Sequence, residues 1–342
     1  MGWGLRAKAQ RTLECTATMG WGLRAKAQRA LECTADTLTP KASSVFVAFH
    51  AIRRHKHALG FYPNVVRPHT FSEKIVYRLI FDRRPILVTL QDKYAAREYV
   101  RNRLGDHLLP RWYCVTKNPQ EIPFDDLPDK FVVKATHGCK WVYLVPDKMR
   151  LDRDDLIAKS SAWLRRNYYW GGREWAYRHI EPRVIVEEFI SDGTGLAPTD
   201  YKFYVFHGRV HFIWAMRGRF VDPQLAAYTP SWERVALKTQ WKSIGTPVPH
   251  PPHLNEMIES AETLGDGLDF LRVDLYDAGK VYFGEMTVYP SGGGEFYDLK
   301  WNRYCGGLWN LSLCDESQAN VSTRSVKTPA ESGASETRPS EL

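Results

Sequence analysis

The chain has 342 residues, a net charge of +8 and 44% hydrophobic residues, enough for one multi-lobed unit or two small domains. Its six cysteines are scattered without CxxC pairs, so we expect reduced cytosolic thiols rather than a disulfide framework or a zinc site. No apolar run approaches the roughly 20 residues that span a bilayer, and no signal peptide is visible. The sequence therefore predicts a soluble, cytoplasmic protein.

The basic charge favours an anionic partner, such as a nucleotide, an acidic polymer, a nucleic acid or a membrane surface. Simple solubility explains the same charge equally well. The only dense basic run, RRHKH at 53–57, is short, and no recognisable nucleic-acid-binding module surrounds it. We therefore predict that the protein has no nucleic-acid partner.

The N-terminus carries a tandem repeat, because residues 1–18 recur as residues 19–36 with only two differences. Two copies are too few for a solenoid. We expect residues 1–40 to be a disordered or weakly helical appendage, with a basic helix that touches a membrane as the alternative. Residues 315–342 are expected to be a disordered tail, because they are rich in Ser, Thr, Glu and Pro and hold few apolar side chains.

Helical and strand-like patterns alternate between these two ends. Residues 41–115 form a predicted helical region, and further helices are predicted at 151–170, where Asp152 begins the first turn, and at 253–265. Strand-like runs are FVVKAT, WVYLV, RVIVEEF, YKFYVF, RVHFIWAM, FLRVDLY and KVYFGEMTV. Antiparallel strands with helices on one side predict an α+β fold.

Residues 270–294, in the C-terminal part of the chain, form the first of two runs that hold candidate functional residues. An apolar strand holds Arg272 and Asp274, a short turn follows, and a second strand presents Glu285. Two carboxylates on neighbouring antiparallel strands can converge on one hard cation, and Arg272 points to the same face as Asp274. This combination suits phosphoryl transfer, with Mg²⁺ on the carboxylates and Arg272 on the phosphate. A hairpin with ordinary surface charges is the alternative.

The second run reads PDKFVVKATHGCKWVYLV and places Lys134 at the end of a strand, beside a Thr-His-Gly-Cys turn. An ammonium group on one side and backbone N–H groups on the other can hold a polyphosphate. His137 and Gly138 lie in this turn, where His137 contacts phosphate or simply satisfies the local backbone. Farther along, Asp200 and Lys202 share one face of a strand by its period of two.

The order of these segments resembles the ATP-grasp superfamily, and its TupA-like branch closely. The matching segments, between about residues 60 and 310, are TFSEKI, DKYAAREYV, LPDKFVVKATHG, PRVIVEEFI, DYKFYVFHG, RVDLY and GEMTVYPSGGG. The resemblance implies an ATP-grasp fold, in which two α+β lobes clasp ATP behind a short helical N-terminal region. The small nucleotide lobe would occupy residues 116–185, and the large lobe with the metal site would occupy residues 186–314.

The resemblance also implies a role for each site residue. These roles are phosphate binding by Lys93 and Lys134, adenine recognition by Glu187 with the backbone of Glu188, Phe189 and Ile190, ribose binding by Asp200, stabilisation of the transferred phosphate by Arg272, and metal binding by Asp274 and Glu285. His137, Gly138 and Lys202 complete the expected ATP contacts, and Lys134 joins Arg272 as a catalytic residue. Thr287 stands where many ATP-grasp sites have an asparagine, so we expect it to be a weaker metal ligand.

The activity that the resemblance implies is an ATP-dependent carboxylate–amine ligase of bacterial cell-wall or capsular polysaccharide synthesis. An acid would become an acyl phosphate, and an amine would then displace phosphate to give an amide and ADP. The expected partners are ATP, Mg²⁺, an acidic sugar, peptide or glycan substrate and an amine donor, with peripheral contact to membrane-bound machinery at the inner face of the membrane as a further option. The alternatives are a kinase of a glycan intermediate and a glycosyltransferase-like or binding protein of the same pathway.

Overall fold

The computed structural model describes residues 40–193, 197–238, 241–296 and 298–311. The predictions for the tandem repeat and for the C-terminal tail concern residues outside these ranges. No helix in the described ranges combines the length and the apolar character that crossing a bilayer requires.

Helices occupy most of residues 41–115, the predicted helical region, but residues 112–115 already belong to the first strand. They are α1 (Pro40–Leu59), α2 (Phe71–Phe81), α3 (Ile86–Gln91) and α4 (Ala95–Leu104). Helix α2 begins with a capping box, because the Thr70 hydroxyl accepts from the Glu73 amide while the Glu73 carboxylate accepts from the Thr70 amide. This reciprocal pair satisfies two amides that would otherwise lack partners, and it fixes the start of the helix.

The first sheet has four antiparallel strands in the order β1-β4-β2-β3. Its strands are β1 (Trp112–Thr116), β2 (Phe131–Ala135), β3 (Val142–Val145) and β4 (Val184–Glu188). The sheet therefore extends beyond both limits of the predicted small lobe, 116 and 185. Both of these limits along the chain are set by the pairing of β1 with β4, which joins segments far apart in the sequence.

Helices α5 (Arg153–Leu164), α6 (Tyr169–Gly172) and α7 (Trp175–Arg178) connect β3 to β4. The Asp152 side chain caps α5 by accepting from the Asp155 amide, as predicted. The predicted single helix at 151–170 is wrong in its length, because α5 ends at Leu164 and α6 is a separate turn. Apolar residues of β2, β4 and α5 form a core of their own for this sheet, including Phe131, Leu156 and Val184.

The second sheet follows the order β11-β10-β5-β6-β7-β8, with β9 paired to β7. Its strands are β5 (Asp200–Phe206), β6 (Arg209–Arg217), β7 (Gln224–Tyr228), β8 (Arg234–Val235), β9 (Lys242–Ser243), β10 (Phe270–Asp277) and β11 (Val281–Thr287). Helices α8 (Leu254–Gly265) and α9 (Leu299–Leu308) complete the fold. Only the β7–β9 pair is parallel in the described ranges, so the predicted α+β class is confirmed.

Helices cover both faces of the second sheet, so the predicted placement on one side is wrong. A Cβ atom on Gly265 of α8 would lie 2.4 Å from the Val205 side chain. On the other face, the Phe71 ring of α2 packs edge-on against the rings of Phe206 and Phe270. Val205 and Phe206 are neighbours on one strand and point to opposite faces. All seven residues of β5 are buried, which requires cover on both sides.

Candidate functional site

The hairpin formed by β10 and β11 lies at the centre of the candidate site. Asp274 pairs directly with Glu285 across the two strands, so both carboxylates project from the same face. The register then shifts between Asp274 and Leu275, which marks a bulge beside the pair. Asp274 is fully buried, whereas the Glu285 side chain keeps 18% of its surface exposed. The hairpin therefore presents one enclosed and one accessible carboxylate.

Strand β5 brings a buried lysine to this pair. Lys202 lies opposite Asp274 in the β5–β10 register, and its Nζ is 2.6 Å from Asp274 Oδ2. The same Nζ is 2.6 Å from Asp200 Oδ2, two residues earlier on its own strand. The buried ammonium group is therefore shared by two buried carboxylates, which offsets the cost of removing all three charges from water.

Arg272 is held on the same face by three side chains. Its Nε and Nη2 donate to the two oxygens of Asp274 at 2.7 and 2.8 Å, a bidentate pair. Nη2 also donates to the Thr287 hydroxyl at 3.1 Å, and Nη1 lies 3.6 Å from Glu295 Oε1. The Thr287 oxygen, predicted as a weak metal ligand, thus orients Arg272 in this structure. Glu295 is a neighbour that the sequence did not reveal.

A second arginine, Arg219, reaches the site from the loop after β6. Its Nη1 donates to Asp200 Oδ2 at 2.9 Å, and its Nη2 lies 3.5 Å from Glu285 Oε1. The adjacent Gly218 has φ +65°, and a Cβ atom there would lie 2.4 Å from the Asp222 carbonyl oxygen. This glycine allows the tight turn beside Arg219, and it is the one local signal that could have identified the residue.

Cations dominate the electrostatics around Glu285. Burial alone would raise the pKa of its carboxyl group, but the positive charges of Lys93, Arg219, Lys202 and Arg272 outweigh burial and hold that pKa well below its usual range. Glu285 is therefore ionised at neutral pH and can serve as a ligand to a cation. Its own contacts to these groups are long, between 3.5 and 3.9 Å.

Lys93, which lies between α3 and α4, contacts both the turn after β2 and the hairpin of the second sheet. Its Nζ donates to the Gly138 carbonyl oxygen at 2.7 Å and lies 3.8 Å from Glu285 Oε2. A Cβ atom on Gly138 would lie 2.2 Å from the Trp141 ring, so no larger residue fits there without moving the tryptophan. Lys140 in the same turn has φ +63°, which is the left-handed region. The predicted phosphate loop is thus a tight turn that faces the carboxylate hairpin through Lys93.

His137 does not fit its predicted phosphate contact. The buried ring donates from Nε2 to the Trp163 carbonyl oxygen at 3.0 Å, and burial lowers the pKa of the imidazole. The neutral ring therefore carries its proton on Nε2, and Nδ1 has no proton to donate to a phosphate oxygen. His137 thus contacts the backbone of Trp163 on α5, 26 residues away, rather than the backbone of its own turn.

Lys134 already has an anionic partner within the chain. Its Nζ lies 2.8 Å from Glu187 Oε2, and Arg97 Nη1 lies 2.7 Å from the other oxygen of the same carboxylate. Lys134 therefore does not depend on ATP for an anionic partner. Lys134 remains 20% exposed and available to a second anion. Its position on the central strand β2, beside β4, explains the pair, and the sequence could not show that strand order.

The predicted adenine-binding segment, from Glu187 to Ile190, lies at the end of β4 and just beyond it. Both oxygens of Glu187 accept from cations, and the Glu188 amide donates to the Arg111 carbonyl oxygen at 2.8 Å. Phe189 and Ile190 come next and are half-buried. These contacts leave the segment beyond Glu188 as the part of the hinge that is free of the β1–β4 ladder.

Glu174, at the start of α7, is a buried acid close to the site that the sequence did not single out. Burial raises the pKa of its carboxyl group from 4.5 to about 7, and the nearby Arg54 opposes that shift only in part. The raised pKa means that the folded protein holds this proton more tightly than the unfolded chain. Stability gained from the bound proton is present below pH 4.5 and is lost as the pH rises towards 7.

We therefore expect Glu174→Gln to remove part of the pH dependence of stability. Between pH 5 and pH 8 the wild type should lose about 2–3 kcal/mol more unfolding free energy than the variant, because about 1.4 kcal/mol corresponds to each unit of pKa shift. Urea unfolding at both pH values measures the difference. Glu98→Gln, an exposed acid on α4, is the matched control. Parallel pH profiles for wild type and Glu174→Gln would contradict the assignment.

Two carboxylates, rather than a preformed cage, offer the site for a metal. In the described ranges, no group of three or more His, Cys, Asp or Glu side chains is arranged to hold a metal ion. Mg²⁺ is commonly bound by one or two carboxylates with phosphate and water oxygens completing its shell. Among the described residues, Asp200 Oδ1 is buried without a hydrogen-bond partner. The pair of Asp274 and Glu285 therefore fits a hard cation that arrives together with a phosphate.

Three solved ligase structures resemble this chain at low identity. D-alanine–D-alanine ligase from Bacillus anthracis is 18% identical over 67% of this chain and 66% of its own, with a TM-score of 0.40. The ATP-grasp ligase PsnB, solved with minimal precursor, Mg and ADP, is 13% identical over 68% and 61%, with a TM-score of 0.36. Phosphoribosylamine–glycine ligase from Thermotoga maritima is 15% identical over 65% and 55%, with a TM-score of 0.39. The chain spans between 55% and 66% of the length of these proteins.

A family-wide comparison gives a longer match. Among curated proteins, none matches this sequence. The family described as TupA-like ATPgrasp matches residues 73–309, more than half of the chain. That segment contains both sheets, the turn after β2 and the carboxylate hairpin. The chain therefore belongs to the TupA-like ATP-grasp family.

Proposed function

We propose that this protein is an ATP-dependent carboxylate–amine ligase that works through an acyl phosphate in bacterial cell-wall or capsular polysaccharide synthesis. Membership of the ATP-grasp family supports the use of ATP. The observation that carries the proposal is the paired Asp274 and Glu285 with Arg272 on the same face. Carboxylates for a metal and an arginine for a moving phosphate are the groups that phosphoryl transfer needs.

The metal in this proposal is Mg²⁺, held by Asp274 and Glu285 with Asp200 nearby. When bound, it supplies positive charge that neutralises the phosphate oxygens during transfer. Thr287 is the weakest candidate ligand, because its hydroxyl group is neutral whereas Asp274 and Glu285 are carboxylates. Lys202 and Arg272 donate hydrogen bonds to Asp274 and fix the position of that carboxylate.

The ATP phosphates would lie between the turn after β2 and the hairpin. Lys93 bridges these two elements, with its Nζ 2.7 Å from the Gly138 carbonyl oxygen and 3.8 Å from Glu285. Lys134 stands on the neighbouring strand with part of its surface exposed. Lys202 and Asp200 would lie on the large-lobe side of the nucleotide, and the segment from Glu187 to Ile190 would receive the adenine. These assignments rest on the family resemblance and on the proximity of the groups.

The proposed reaction has two steps. An oxygen of the acceptor carboxylate forms a bond to the γ-phosphorus while the bond to the bridging oxygen of ADP breaks. The amine nitrogen then attacks the acyl carbon, phosphate leaves, and the nitrogen loses a proton as the amide forms. Arg272 stabilises charge on the phosphoryl oxygens in the first step, because a fixed guanidinium needs no reorganisation as that charge develops. The acceptor proposed is an acidic sugar, peptide or glycan of a cell-surface polymer.

Release of ADP and phosphate in the presence of candidate acids and amines tests this proposal. A ligase requires both substrates for phosphate release, and the product carries an amide bond. Phosphate retained on the acceptor would identify a kinase, and no nucleotide turnover with any substrate pair would favour a binding role. Glu285→Gln in the same assay controls for contaminating phosphatases, because its fold is expected to remain intact.

Lys134→Ala should weaken ATP binding by roughly 30-fold or more, which corresponds to about 2 kcal/mol for a lost charged hydrogen bond. The substitution removes one of two cations that pair with Glu187, so the freed carboxylate adds repulsion against phosphate. Displacement of a fluorescent ATP analogue measures the affinity. Lys130→Ala, an exposed lysine just before β2, should bind as the wild type does. Equal affinity for wild type and Lys134→Ala would remove this lysine from the ATP site.

A further inference from the structure

The stretch from residue 37 to residue 72 carries charge of only one sign. It contains five Lys or Arg residues and no Asp or Glu, and it accounts for five of the eight net positive charges of the chain. The charged residues are Lys41, Arg53, Arg54, Lys56 and Arg67. The described part of the stretch holds helix α1, the loop that follows it and the first two residues of α2. A block of this kind attracts an anionic surface.

Large apolar side chains stand in water among these cations. Val45 and Phe49 of α1 are 71% and 57% exposed, and Tyr62 and Val66 of the following loop are 69% and 84% exposed. Single exposed apolar residues are common on soluble proteins, but four within 22 residues of a basic segment form a patch that calls for an explanation.

The cations and the rings form one continuous strip. Phe49, Arg53 and Lys56 lie on one face of α1 by their spacing of four and three residues. The Arg53 guanidinium lies 5.5 Å from the centre of the Phe49 ring, and the Lys56 ammonium lies 5.3 Å from the centre of the Tyr62 ring. We call Val45, Phe49, Arg53, Lys56 and Tyr62 the α1 surface.

The loop after α1 is fixed rather than free. The Asn64 side chain accepts from the amides of Val66 and Arg67, and the Asn64 amide donates to the Glu73 carboxylate at 2.9 Å. Because Glu73 belongs to the capping box of α2, the loop is tied to the body of the protein. Tyr62, Val66 and Arg67 are therefore presented in a defined arrangement.

We propose that the α1 surface docks the protein onto an anionic lipid bilayer. Exposed aromatic and aliphatic side chains enter the interface between headgroups and acyl chains, and flanking Lys and Arg side chains bind the lipid phosphates. A soluble polyanion would neutralise Arg53 and Lys56 but would leave Val45 and Phe49 in water. The repeat at residues 1–36 does not complement the surface, because it is itself basic, with six Lys or Arg against three acids.

Docking through α1 would bring the proposed catalytic site to the membrane. Arg54, next to Arg53 on the same helix, donates to the carbonyl oxygens of Gly172 and Ser291 at 3.3 and 3.1 Å. Ser291 lies in the turn that follows β11, the strand that carries Glu285. This inference goes beyond the proposed ligase and does not depend on it.

Sedimentation of the full chain with vesicles tests the proposal. One set of vesicles contains phosphatidylcholine alone, and the other adds phosphatidylglycerol. The wild type should sediment with the anionic set and stay in solution with the neutral set. Arg53→Gln with Lys56→Gln should lower the partition coefficient roughly 25-fold, or about fivefold for each basic residue lost near an anionic surface. Failure of the wild type to sediment with anionic vesicles would overturn the proposal.

Substitution of the apolar residues distinguishes a bilayer from a soluble polyanion. Phe49→Ser with Tyr62→Ser keeps all charges and should still reduce sedimentation at least about tenfold, because apolar burial contributes to interfacial binding. Met149→Ser, which changes a residue 90% exposed elsewhere, should have no effect. If the Phe49 and Tyr62 variant bound vesicles as the wild type does, the surface would recognise negative charge alone. Melting temperature and ADP release, measured on every variant, separate a loss of docking from a loss of fold or of enzyme activity.

Discussion

Glu285→Gln should abolish Mg²⁺-dependent turnover of ATP, with a loss of roughly a thousandfold or more, and should change the melting temperature little. The loss is expected because the amide of Gln removes one of two negative ligands where charge develops on the transferred phosphate. The fold should persist because Glu285 makes only long contacts, at 3.5–3.9 Å, with the surrounding cations. Steady-state ADP release and thermal unfolding measure the two effects.

Asp274→Asn should behave differently, although the sequence alone presents the two carboxylates as equivalent. Asp274 is fully buried and is the partner of both Lys202 and Arg272. The neutral amide leaves two buried cations without their shared counter-charge, which typically costs about 3–5 kcal/mol. We therefore expect loss of activity together with a clear loss of stability.

Glu233→Gln, an exposed acid in the same sheet region, is the control for both variants. Normal Mg²⁺-dependent activity in either Glu285→Gln or Asp274→Asn would remove that residue from the metal site. Equal destabilisation of the two variants would contradict the conclusion that Glu285 is an accessible ligand and Asp274 a buried partner of Lys202 and Arg272.

Arg272→Lys should lower kcat by roughly a thousandfold and leave the KM for ATP within about threefold of the wild type. Lysine keeps the charge but cannot reproduce the bidentate pair with Asp274 or the hydrogen bond to Thr287. A misplaced cation loses contact with the transferred phosphate in the transition state more than it loses ground-state binding. Initial-rate kinetics with varied ATP separate kcat from KM.

The matched control is Arg209→Lys on the exposed end of β6, where the arginine pairs with Glu262 at the surface. It should retain wild-type kinetics. A raised KM with unchanged kcat in Arg272→Lys would show that the guanidinium contributes only to ground-state binding of ATP. In that case the role assigned to Arg272 would be wrong.

The hairpin of β10 and β11 could be predicted from the sequence because its contacts are local. A period of two along each strand and a short turn between them are enough to put Asp274 opposite Glu285. The α+β class follows from the same patterns. The end of α5 and the limits of the first sheet were harder to predict. Sequence periodicity does not fix a helix end to within a few residues, and the limits of the sheet depend on the pairing of β1 with β4, which are far apart in the sequence.

The side chains that complete the site could not be predicted from periodicity. Glu187 meets Lys134 because β4 lies beside β2, and Arg219 meets Glu285 because a loop folds back over the second sheet. Glu295 approaches Arg272 from beyond the glycine-rich turn. Each contact joins segments separated by tens of residues or by a turn whose geometry the sequence does not specify, so periodicity carries no information about it.

Calorimetric titration of ATP into the full chain with Mg²⁺ present tests the central claim most directly. We expect one ATP bound per chain, with binding that weakens when Mg²⁺ is chelated and weakens again in Glu285→Gln, because Asp274 and Glu285 would hold the metal with the nucleotide. Absence of binding heat in the wild type, or an ATP affinity that neither chelation nor Glu285→Gln changes, would contradict a metal–ATP site at this hairpin.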